Sequence, residues 1–138
     1  MGIELYWDDD AETVMLMEVS GSWTWDELFA VLHTAKTISQ QRQRVFGAIV
    51  DVRGGLQLPG GSVFNREGLA QFTRITQLGG GKRGPIAFVG MSGMMKSIFE
   101  AATRIDKQAA HDTFFVATLE EARRLIYPAT RRKNEQSA

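Results

Sequence analysis

The sequence predicts an α/β domain with the element order ββαβαβαβα: a mainly parallel five-stranded sheet, an antiparallel first strand and four helices. Three observations predict it. Five short runs rich in branched and aromatic residues recur along the chain. Stretches with apolar residues at helical spacing separate the later runs. Two Thr-x-x-Glu capping boxes, Thr24–Glu27 and Thr118–Glu121, open the first and last of those stretches.

Each element has its own justification. Ile3 to Trp7 reads as a strand, and Asp8-Asp9-Asp10 supplies a turn because Asp bonds nearby backbone. Thr13 to Ser20 is apolar on both faces, which places this second strand inside the sheet. So short a link makes the two strands an antiparallel pair. Thr24 then caps a helix with Leu28, Phe29, Val31, Leu32, Ala35 and Ile38 on its apolar side. Phe46 to Val52 is nearly all apolar except Asp51, as suits a strand covered on both faces. A Gly/Pro loop from Arg53 to Ser62 leads to a second helix over 65–78. A strand from Ile86 to Met91 feeds a third helix capped by Ser92. Thr113 to Ala117 is the last strand, and the helix capped by Thr118 ends at Pro128. On this reading residues 1–127 are one domain and 128–138 a polar, mobile tail.

Composition bounds the function. The 138 residues suit one core, and 23% charged residues mark an ordinary globular chain. No cysteine is present, so disulfides, thiolate metal sites and cysteine nucleophiles are excluded. That fits a reducing, cytoplasmic setting. The start has no basic segment followed by an apolar run, so no leader is expected. No apolar run approaches the ~20 residues of a membrane span. The net charge is zero, but residues 1–40 carry eight acids against one Lys, while 41–138 carry fifteen bases against eight acids. Two differently charged faces, a basic surface for an anionic partner, and self-association of opposite faces all fit that asymmetry. Nucleic-acid binding is not expected, since the charge is balanced and no aromatic-basic strand motif appears.

The element order is similar to that of the STAS domain of anti-sigma-factor antagonists and sulfate-transporter tails, and of SpoIIAA-like relatives. The resemblance covers residues 3–127. It rests on the two-strand start, the strand–helix units that follow, the Ile49-Val50-Asp51 strand end and the closing Thr118-Leu119-Glu120-Glu121-Ala122 stretch. It implies a non-catalytic regulatory or protein-interaction module. Antagonists of that family present a phosphorylatable hydroxyl just after the third strand. Here the matching stretch is Asp51-Val52-Arg53-Gly54, with no Ser or Thr after Asp51, so the switch hydroxyl is missing.

Ligands of open α/β sheets lie beyond the C-terminal strand ends. Two loops there offer glycines, amides and a cation: Arg53-Gly54-Gly55 through Ser62, with Arg66 beyond it, and Ser92-Gly93 with Lys96 one turn on. Together with Asp51 these are the candidate contacts for a protein partner, a second copy, or a small anionic or lipid-like ligand. Glycines that only make turns and a Ser92 that only caps a helix explain the same pattern. A carboxylate in an apolar strand end needs a partner, which Arg53 or a helix amide would supply.

Other motifs fall short. Gly79-Gly80-Gly81-Lys82 lacks the spacing and the Ser or Thr of a P-loop. Gly90-Met91-Ser92-Gly93-Met94 lacks the final glycine of a nucleophile elbow, which leaves a hydrolase as a distant third reading. The two histidines, His33 and His111, are not spaced with acids as metal ligands. No catalytic residue, metal or cofactor is expected.

Overall fold

In a computed structural model the described residues are 2–21, 23–42, 44–53, 84–91, 93, 97 and 113–137. Five strands form one sheet: β1 (Ile3–Trp7), β2 (Val14–Val19), β3 (Gly47–Asp51), β4 (Ile86–Val89) and β5 (Thr113–Val116). Their spatial order is β1-β2-β3-β4-β5. β1 runs antiparallel to β2 and every other neighbouring pair is parallel. Among the described residues two helices stand out, α1 (Trp25–Arg42) and α2 (Leu119–Ser137). The expected helices over 65–78 and after Ser92 lie outside the described residues, apart from helical backbone at Gly93 and Ser97. No helix of the described residues is long and apolar enough to cross a membrane.

The acidic turn after β1 works through Asp9. Its carboxylate accepts from the Thr13 and Val14 amides, at 2.9 and 3.1 Å, and from the Thr13 hydroxyl. β2 then enters the middle of the sheet, with Val14, Met15, Leu16 and Val19 buried. Alternation along the strands sorts the core into two layers. On one face Val14, Leu16, Ile49, Ala87 and Val89 pack against Ala122 and Ile126 of α2. On the other, Val19, Val50 and Val52 pack with Trp23, and Leu28 of α1 joins them. The methionines in view are core: Met15 is buried, and Met17 and Met91 pack on the second cluster. Trp7 is half-buried, edge-on to Phe46 at 5.5 Å, and the Arg42 guanidinium lies 4.8 Å above its ring.

Both capping threonines act as expected. Thr24 Oγ1 accepts from the Glu27 amide and Thr118 Oγ1 from the Glu121 amide, each at 3.1 Å. The end of the last helix is a correction. α2 does not stop at Pro128 but continues to Ser137 with the proline inside it. Proline removes one helical donor and disfavours its interior place, so tertiary contacts must hold the second half. Thr130 is buried and donates to the Ile126 carbonyl at 2.7 Å. Asn134 takes both backbone groups of Val45: its Oδ1 accepts from Val45 N at 3.0 Å and its Nδ2 donates to Val45 O at 2.9 Å. Gly47 lets α2 approach, since a Cβ there would lie 2.4 Å from Thr130 Oγ1 and 2.5 Å from Ile126 Cγ2. The stretch expected as a mobile tail is therefore a docked helix.

Candidate functional site

The parallel register puts Glu18 of β2 beside Asp51 of β3 at the C-terminal ends of both strands. Antiparallel pairing puts Glu4 of β1 opposite Glu18. By alternation these carboxylates share the face that carries α2, and Tyr6 shares it too. The apolar part of that face lies under α2; this end of it is polar. A cleft of about 350 Å³ opens there, lined by Glu18, Val19, Ser20, Asp51 and Arg53.

Asp51 and Arg53 line the cleft as a bonded pair. Arg53 Nε donates to Asp51 Oδ1 and Nη2 to Oδ2, both at 2.9 Å, while the Arg53 amide donates to Oδ1 at 3.0 Å. One carboxylate thus accepts a planar fork and a backbone amide, an arrangement that fixes direction as well as charge. The Asp51 side chain is 12% exposed and that of Arg53 49%. The guanidinium beside it holds the Asp51 carboxyl below its usual range despite partial burial, and the carboxylate raises Arg53 in turn. Gly90 sits against this arginine with φ +78°, and a Cβ there would lie 2.5 Å from Arg53 Cγ. The Val52 amide donates to Val89 O at 3.0 Å, which joins the two strand ends beneath the pair.

Glu18, which also lines the cleft, accepts at Oε1 from the Tyr6 hydroxyl. That bond to an anion, helped by burial and neighbouring carboxylates, pushes Tyr6 up to about 12. A second cluster lies at the opposite end of β1. Asp8, with a side chain only 4% exposed, accepts from Arg123 Nη2 at 2.8 Å and from the Tyr127 hydroxyl at 2.6 Å. Arg123 chiefly, and then Tyr127, hold the Asp8 carboxyl low against burial. Burial, the bond to Asp8 and its charge push Tyr127 up. This cluster ties α2 to the β1–β2 turn.

Of the expected site residues, Asp51 and Arg53 come together in the cleft. The partner for Asp51 is Arg53, the first of the two anticipated. Gly93 has helical backbone, and its carbonyl accepts from Ser97 Oγ at 3.0 Å. Gly54, Gly55, Ser62, Arg66, Ser92 and Lys96 lie outside the described residues. Glu18, Tyr6 and Ser20 were not anticipated. Glu18 had a signal, being the only charge in an otherwise apolar second strand. His33 is exposed on α1. Among the described residues no group of His, Asp and Glu is placed to hold a metal ion.

The class defined by these observations is an α/β domain with a mixed five-stranded sheet and a polar cleft at its strand ends. Comparison of the chain with protein families, curated proteins and solved structures gives no match.

Proposed function

We propose that the chain is a non-catalytic, cytoplasmic interaction module of STAS-like type, docking a protein partner at the C-terminal ends of β2 and β3. The observation that carries this reading is the Asp51–Arg53 fork in the lining of the cleft. A half-exposed arginine locked by a carboxylate and seated against Gly90 is pre-organised for contact. Arginines held in this way are the side chains that anchor interfaces. The strand order supports the STAS-like part of the proposal, as does the placement of the cleft just after β3. Affinity capture from source cells tests it, with the unaltered chain compared against Arg53→Glu. Partners lost with the variant support the surface, and partners retained in full count against it.

A small anionic ligand is the second reading. It is favoured by the size of the cleft, which lies within the range of ligand pockets, and by the cation in its lining. A thermal-shift screen with phosphate, nucleotides and fatty acids separates the two, because a bound ligand must raise stability.

A further inference from the structure

Among the described residues β1 is an edge strand, and its backbone shows which groups point away from β2. The Asp8 amide donates to Val14 O and the Ser20 amide to Gly2 O, both at 2.8 Å. These bonds bracket the β1–β2 ladder in the register Ile3↔Val19 to Trp7↔Met15. In an antiparallel ladder the residues that bond across alternate with those that do not. Gly2, Glu4, Tyr6 and Asp8 therefore face β2, and Ile3, Leu5 and Trp7 turn their N–H and C=O groups outward. Of the usual guards of an edge the strand has no proline, lysine or bulge, and Glu4 is its one charge.

The geometry points to a second copy of this chain as the occupant of that edge, paired antiparallel across a two-fold axis at Leu5. This rests on the strand alone and is independent of the cleft. In that register Leu5 meets Leu5 of the second copy, and Ile3 meets its Trp7. With the symmetry-related pair of Trp7 and Ile3 of the second copy, all three pairs are of the bonding kind, so the outward groups of both strands are satisfied together. On the apolar side Ile3–Trp7 and Leu5–Leu5 are favourable cross-strand pairs. On the other side Glu4 meets Tyr6 of the second copy, so no like charges face each other across the junction.

α1 adds to the fit. It packs over β1, and its Arg42 caps the Trp7 ring. The same two-fold sets the two α1 helices antiparallel on one face of a continuous sheet. Asp26 and Glu27 of the first turn then lie toward the end carrying Arg42 of the other copy, a guanidinium that also pairs with Glu12 of its own chain at 2.9 Å. That is charge complementarity along a helix whose Leu28, Leu32, Ala35 and Ile38 are only half-buried.

The chain has no cysteine, which allows a direct test of the register. Bonded antiparallel pairs hold Cα atoms about 5.5 Å apart, within the disulfide range. Leu5→Cys is expected to give a cross-linked dimer under mild oxidation. Ile3→Cys is not, because the two copies of that position would stand about 14 Å apart. Sedimentation equilibrium of the unaltered chain is expected to give twice the sequence mass at high micromolar concentration. A monomer at every concentration, or cross-linking of Ile3→Cys as fast as Leu5→Cys, overturns the proposal.

Discussion

Gly90 leaves no room between itself and Arg53: a Cβ built on it would lie 2.5 Å from Arg53 Cγ and 3.1 Å from Arg53 Cα. Its φ of +78° adds a second reason for glycine. Gly90→Ala is therefore expected to cost about 1–3 kcal/mol, from the positive φ and the displaced arginine together. Urea denaturation measures the loss. A variant as stable as the parent would mean that Arg53 is not held against β4.

The Asp51 carboxyl titrates low because Arg53 holds it there. Arg53→Ala should move its titration toward the ordinary value near 3.8. Carboxyl NMR titration of parent and variant checks this. An unchanged Asp51 would show that the fork does not persist in solution.

Asp8, Asp9 and Asp51 all have depressed folded values. At Asp9 burial opposes the shift, but the bonds from Thr13 and Val14 outweigh it. The unfolded chain binds protons first as the pH falls, so these groups stabilise the fold fully above the ordinary value near 3.8. That contribution is lost as the pH drops through the lower folded values. Stability from this source should stay flat from neutral pH to about pH 5 and fall steadily below about pH 4. Asp8→Asn should flatten part of the acid limb. Tyr127→Phe removes one bond to a buried carboxylate and should cost about 1–2 kcal/mol at neutral pH. Denaturant melts across pH measure both effects.

Asn134 anchors the half of α2 beyond Pro128 by bonding both backbone groups of Val45. Asn134→Ala should cost about 1–3 kcal/mol, since Val45 is itself buried. Truncation after Tyr127 should cost more than that. A truncated chain with unchanged stability would restore the picture of a free tail.

Much of the sheet was legible in the sequence. The apolar runs, the acidic turn and the two capping threonines carry local signals, and the strands fall within a residue or two of their expected bounds. Pro128 misled because its local preference is outweighed by contacts with Val45 and Gly47, more than eighty residues away in the chain. The site was legible in part for a related reason. Asp51 and Arg53 lie two apart, so their pairing could be read along the chain. Glu18 reaches the cleft, and Tyr6 reaches Glu18, only through strand register, which pattern alone does not specify.

The central claim is that partners dock at the ends of β2 and β3. Amide chemical-shift mapping of the labelled chain against a partner captured in an Arg53-dependent way tests it most directly. The largest shifts are expected at Glu18–Ser20 and Asp51–Arg53, while Arg131–Glu135 on α2 stay still. Shifts confined to α2, with the strand ends unmoved, would contradict it.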